Sequence, residues 1–142
     1  MKRLLVALDA SDRASKVLEA AVRLADLTGA QLILYRAIVV PPELPRDILI
    51  APEARLEDIL VRTAHDDLQR VAERVPGSLI EQIATAFATP WDGICRAARE
   101  HDVDLIVIGS HGYGTIDRIL GTTAAKVVNH ADRNVLVVRT LL

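Results

Sequence analysis

Leu105-Ile106-Val107-Ile108-Gly109-Ser110-His111-Gly112, followed after eight intervening residues by Gly121-Thr122-Thr123, is the stretch that decides how this 142-residue chain folds. Four consecutive apolar residues rich in β-branching suit a strand buried on both faces. Glycines directly behind such a strand let a ligand approach the backbone with no Cβ in the way. A helix opening at Gly121 would turn its unsatisfied N–H groups and the positive end of its dipole toward the same place. Thr122 and Thr123 add hydroxyl donors. A strand, a glycine turn and a helix start together make an anion site.

Outward from that stretch, the same alternation recurs along the chain. Leu4–Leu8, Leu32–Val40, Leu79–Phe87 and Val135–Val138 are further strand candidates. The intervening segments carry helical periodicity. Ser11 is expected to cap a helix with Ala14, Val17, Leu18, Ala21 and Ala25 on its apolar face, closing at Gly29. Leu56, Leu60, Ala64, Leu68, Val71 and Val75 mark a second helix, stopped by Pro76-Gly77. Thr89-Pro90-Trp91-Asp92 opens a third that ends near His101. A fourth runs from about Thr122 to Ala131.

Strand and helix alternating five times require crossover connections and hence a parallel sheet. The expected fold is α/β: a single domain over residues 1–142, with an open, doubly wound, five-stranded parallel sheet in the order 3-2-1-4-5 and helices on both faces. In such a sheet ligands bind at the carboxyl ends of the strands, where strand order reverses. The reversal lies between the first and fourth strands, so Asp9, at the end of the first, faces the glycine turn. A carboxylate there suits ribose hydroxyls or a metal on phosphates. Taken alone, the glycines and threonines also fit a strand-end turn and a helix cap; their place at the switch point favours a ligand site.

Composition narrows the function classes. Half the residues are apolar (51%), yet only Tyr35, Phe87, Trp91 and Tyr113 are aromatic, so the core is aliphatic. A net charge of −2 argues against a nucleic-acid partner, which calls for a basic face. The N-terminal apolar run stops at Asp9, too early for a secretory leader, and no window reaches the roughly 18 apolar residues of a membrane span. A lone cysteine, Cys95, fits a reducing compartment. The expectation is a cytoplasmic protein with no membrane partner.

With these residues in view, the chain resembles the universal stress protein family, small α/β proteins carrying Gly-x2-Gly-x9-Gly-Ser/Thr for ATP. The motif here reads Gly109-x2-Gly112-x8-Gly121-Thr122. The likeness extends over the whole chain, through Leu5-Val6-Ala7-Leu8-Asp9-Ala10-Ser11, Ile33-Leu34-Tyr35-Arg36-Ala37, Asp104–Gly109 and Asn134–Val138. The resemblance implies that Ala7, Leu8 and Asp9 line the nucleoside side of a pocket and that the Ala37 backbone meets adenine. It extends the wall through Ile108, Gly109, His111 and Gly112, and gives the phosphates to Gly121, Thr122 and Thr123. It further implies ATP, ADP or AMP as ligand, with Mg²⁺ assisting, and a homodimer formed through the last strand. This chain departs from the family pattern in its shorter second gap, in Ala10 for glycine, and in Ala88-Thr89-Pro90 for Gly-x-Pro.

Other residues fit structural roles. Cys95 shares a helical face with Trp91 and Ala98, as a core thiol does. His65 and His130 have no second ligand at metal spacing, and His101-Asp102-Val103-Asp104 reads as a solvated turn. Arg118 and Lys126 could supply positive charge near the phosphates, but beside Asp117 and Asn129 they suit a solvent face better. Ser110 lacks the Gly-x-Ser-x-Gly setting of a hydrolase nucleophile. No catalytic residue and no protein metal site are assigned. The function expected is a nucleotide-binding, stress-linked regulator or switch. The alternatives are a nucleotidyl or phosphoryl transferase, or a dimeric interaction module that binds no nucleotide. Pro41–Pro52, with four prolines, is either a functional loop or a disordered spacer.

Overall fold

The computed structural model describes residues 1–51, 54–110 and 120–140. Five parallel strands, β1 (Arg3–Ala7), β2 (Gln31–Ile38), β5 (Ile80–Phe87), β6 (Leu105–Gly109) and β7 (Asn134–Val138), form one sheet in the order β5-β2-β1-β6-β7. Numbered among themselves, these strands follow the expected order 3-2-1-4-5. The register is continuous at the centre, where Leu4, Leu5 and Val6 stand beside Leu105, Ile106 and Val107 on one side and Leu32, Ile33 and Leu34 on the other.

The side chains of these central strands alternate between two cores, as a period of two requires. Leu4, Val6, Leu32, Leu34 and Val107 pack with Val17, Leu18, Ala21 and Ala25 of α1 (Ala14–Thr28) and with Leu68 of α2 (Leu56–Ala72). Leu5, Ile33, Tyr35, Ile106 and Ile108 face the opposite way. They meet Ile94, Cys95 and Ala98 of α3 (Pro90–Glu100) and Ala124 and Val127 of α4 (Thr122–His130). Residues apolar on both strand faces are what a sheet covered by helices on both sides demands.

Several boundaries differ from the sequence reading. Helix α1 begins at Ala14 with Arg13 at its cap, so Ser11 does not cap it. The Ser11 hydroxyl instead donates to Asp9 Oδ1 and accepts from the Arg13 amide at 3.3 Å, closing a turn before the helix. Gly29 does end α1, in the left-handed region at φ 76°, its amide donating to the Ala25 carbonyl at 2.8 Å. Thr89 and Pro90 take the cap and first-turn positions of α3, although the Thr89 side chain makes no capping hydrogen bond.

The described part of the proline-rich segment makes backbone and side-chain contacts with the start of α2 and with β5. Leu49–Ala51 (β3) pairs antiparallel with Ala54–Arg55 (β4). The Leu56 amide donates to the Ile48 carbonyl and the Glu57 amide to the Arg46 carbonyl, both at 2.8 Å. Arg46 stacks over Phe87, 4.7 Å from the ring centroid, and pairs with Glu57 at 3.4 Å. Among the described residues no helix is long and apolar enough to cross a membrane.

Candidate functional site

A cavity of about 630 Å³ opens at the carboxyl ends of the strands, at the reversal between β1 and β6. Ala7, Leu8 and Asp9 form its wall at the end of β1, and Ala37 contributes from β2. Ile108 and Gly109 close β6 in the same wall, and Thr122 and Thr123 bring in the first turn of α4. These expected site residues therefore meet around one space, from four separate elements. His111 and Gly112 lie outside the described residues. Gly121 does not line the cavity; it is the N-cap of α4, and its amide donates to the Ser110 carbonyl at 2.9 Å.

That last bond belongs to a set of ties that fix the site. The Ser110 amide donates to the Val138 carbonyl at 2.8 Å, and Ser110 Oγ accepts from the Thr140 amide at 3.3 Å. One buried serine thus joins the ends of β6 and β7 to the start of α4. In that tie its Oγ is the acceptor. Among the described residues no side chain caps α4, which leaves first-turn donors beside the cavity. Close approach at β6 depends on Gly109, where a Cβ would come within 3.1 Å of Val17 Cγ2 and 3.6 Å of Thr140 Cγ2.

Asp9 is oriented locally: its Oδ1 accepts from the Ser11 amide at 2.9 Å and from the Ser11 hydroxyl. Behind it, Arg36 reaches from β2 across the end of β1. Its Nε donates to the Leu8 carbonyl at 3.1 Å and one Nη to the Asp9 carbonyl at 3.2 Å. The other Nη bonds Asp67 of α2 at 3.3 Å. This side chain, 13% exposed, holds the loop that presents Asp9.

The sequence reading missed part of the lining. Arg13, Tyr35, Arg36 and Thr140 were not singled out, yet all four border the cavity. Arg13 Nε, Tyr35 Oη and Thr140 Oγ1 are buried with no hydrogen-bond partner among the described residues. The signal for Arg13 was its place in the turn after the first strand, at the switch point itself. Thr140 lies beyond the last strand, where periodicity carries no information.

Cys95 and His130, read as structural, are packed against neighbours. Cys95 is buried, and burial raises its thiol pKa despite Arg99 nearby. Lys126 lies 5.7 Å over the Trp91 ring, and His130 packs on Trp91 at 4.6 Å. Among the described residues no group of three or more His, Cys, Asp or Glu could hold a metal ion. Asp104 does more than sit in a solvated turn: its Oδ2 accepts from the Lys2 amide at 2.6 Å and the Arg3 amide at 3.0 Å. Those two bonds hold its carboxyl below the ordinary range.

Comparison with known proteins agrees with this architecture. Universal stress protein YxiE of Bacillus subtilis is 34% identical over 146 aligned positions, covering 96% of this chain and 98% of that protein. A universal stress protein from Archaeoglobus fulgidus, solved in complex with dAMP, superposes with a TM-score of 0.65 at 24% identity, covering 97% and 98% of the two chains. A universal stress protein solved in complex with cAMP gives 0.65 at 22% identity, covering 99% and 98%. The universal stress protein family model matches residues 1–139. With that match over nearly the full length, and a relative at this identity, the chain belongs to the universal stress protein family.

Proposed function

We propose that the cavity at the β1–β6 switch point binds an adenine nucleotide and that the protein acts as a stress-linked regulator rather than an efficient enzyme. The observation that carries the reading is the joining of Asp9, Ala37, Gly109 and the first turn of α4 around one space of about 630 Å³. That volume suits a nucleotide-sized ligand. The wall is apolar at Ala7, Leu8, Ala37 and Ile108, as a base needs, and rich in donors at Thr122 and Thr123, as phosphates need. Family relatives solved with dAMP and with cAMP support adenine as the base.

ATP, ADP or AMP fills this role in our reading. Mg²⁺ arrives with the phosphates, Asp9 being the carboxylate placed to meet it. Asp9 Oδ1 is already engaged by Ser11, which leaves Oδ2 for a ribose hydroxyl or a metal-bound water. Backbone N–H groups and hydroxyls hold ground-state phosphates about as well as a transition state, and uniform binding does not accelerate chemistry. A switch needs only that the occupied and free states differ. The cytoplasm is the proposed location, with no nucleic acid or membrane as partner.

Thermal unfolding with millimolar ATP, ADP, AMP and adenosine tests the reading. At about 100 times Kd, linkage adds roughly 2.7 kcal/mol, on the order of a 10 °C rise for a chain of this size. No shift with any of the four would end the nucleotide reading. Single-turnover hydrolysis of labelled ATP at a rate near 10 s⁻¹, the median for enzymes, would favour a phosphoryl-transfer enzyme instead.

A homodimer through β7 completes the proposal. Of the two sheet edges, β5 carries Glu81 and Gln82 and its Glu81 pairs with Arg3 at 3.1 Å. Strand β7 offers Val135-Leu136-Val137-Val138, with Leu136 37% exposed. An apolar edge with no charge to guard it favours pairing with a second copy.

A further inference from the structure

We propose that Arg13 grips the phosphate end of the ligand and makes the cavity selective for nucleoside polyphosphates over nucleosides. The inference rests on the nucleotide reading above and assigns it a charged residue outside the glycine turn.

Among the described residues two arginines border the cavity, and they differ in one respect. Arg36 spends its donors on the Leu8 and Asp9 carbonyls and on Asp67. The Arg13 side chain makes no hydrogen bond or ion pair among the described residues, and its Nε is fully buried. It stands at the cap of α1, a 15-residue helix with no acidic residue in its first turn. A cation there opposes the helix dipole, so it weakens the ligand-free fold. Local rules broken without a compensating contact mark functional positions.

The surroundings of Arg13 complete an anion cradle. Val17 lies one turn further along α1, and its Cγ2 stands 3.1 Å from where a Gly109 Cβ would be. Thr140 shares that contact; it is 1% exposed, borders the cavity, and its Oγ1 has no partner among the described residues. The uncapped first turn of α4 enters the same cavity through Thr122 and Thr123. A guanidinium, a buried hydroxyl and a helix N-terminus therefore border one space. The carboxylate among the described lining residues is Asp9, with one oxygen already taken by Ser11. Arginine is the residue that best matches phosphate oxygens in a fork.

Calorimetric titration of the full chain, wild type and Arg13→Gln, with adenosine, ATP–Mg²⁺ and inorganic tripolyphosphate tests the assignment. Loss of a charge-assisted contact predicts ATP binding weaker by roughly 10- to 100-fold, with adenosine affinity within about twofold of wild type. Arg13→Lys should recover part of the ATP affinity. The ligand-free melting temperature of Arg13→Gln should stay or rise, because a cation leaves a helix N-terminus. Unchanged ATP affinity overturns the proposal, as does an equal loss for adenosine and ATP with a lowered melting temperature. If wild type ignores adenosine and ATP but binds tripolyphosphate through Arg13, the nucleotide reading fails and the role of Arg13 stands. If wild type binds adenosine and ATP and Arg13→Gln does so equally, the reverse holds. Binding of none of the three overturns both.

Discussion

The phenolic oxygen of Tyr35 fills the space beside Gly93, where a Cβ would stand 2.5 Å from it and 2.7 Å from the Ala88 Cβ. Strand β2 and helix α3 approach closely because position 93 has no side chain. Tyr35 is 2% exposed and, among the described residues, its hydroxyl has no partner; burial raises its pKa.

Gly93→Ala should therefore destabilise the fold. Alanine gains about 1 kcal/mol of helix propensity over glycine, but overpacking costs about 1–3 kcal/mol, so a net loss is expected. Tyr35→Phe removes the obstructing oxygen and an unpaired buried hydroxyl, and should be close to neutral alone. In the double variant the loss should shrink. Urea unfolding of the four proteins measures this coupling, and strict additivity would refute the contact as its cause.

Arg36 should be worth more than a surface ion pair. Arg36→Met strips donors from the Leu8 and Asp9 carbonyls and leaves Asp67 with Arg70 at 2.9 Å. With the side chain 13% exposed, a loss of about 1.5–3 kcal/mol is expected for hydrogen bonds from a charged donor. Nucleotide affinity should fall as well, because the loop presenting Asp9 is released. A variant as stable as wild type in urea would count against this role.

Asp104 gives the fold an acid-sensitive tie. The Lys2 and Arg3 amides hold its carboxyl below the ordinary 3.8. Because the folded value is the lower one, the stabilisation is present above pH 3.8 and is lost as pH falls through the folded value. Asp104→Asn should unfold at lower urea than wild type at pH 7, and the gap should close toward pH 2. A gap that does not change with pH would assign it to packing instead.

The edge strand supplies a test of assembly. Leu136→Lys places a charge on an exposed position of β7 without touching the α3–α4 core, into which the half-buried Val137 packs. Wild type should sediment as a dimer and Leu136→Lys as a monomer with unchanged circular dichroism. A wild-type mass of one chain at all concentrations would remove the dimer.

Much of this was legible in the sequence because burial on both faces writes continuous apolar runs. Leu4–Leu8 and Leu105–Ile108 announce central strands, and the strand order follows from the crossovers. Asp9, Gly109, Thr122 and Thr123 were found because topology puts strand ends and helix starts at one place. What escaped depends on side-chain reach. Nothing in the periodicity says that Arg36 turns back across β1 while Arg13 finds no hydrogen-bond partner among the described residues. Ser11 looks like a cap in sequence, but its Oγ accepts from the Arg13 amide, one residue before the helix begins at Ala14.

Asp104 clasps the chain start at the amino ends of the strands, whereas the cavity opens at their carboxyl ends. Acid durability and the ligand preference proposed for the cavity are thereby written at opposite poles of the molecule. A lineage could retune how long the protein survives in acid without retuning what it binds, and the reverse. Distant sites with no shared partner add in free energy to within a few tenths of a kcal/mol. Combining Asp104→Asn with Arg13→Gln should accordingly reproduce the sum of the two single effects, and a larger departure would mean that the sheet transmits strain from one pole to the other.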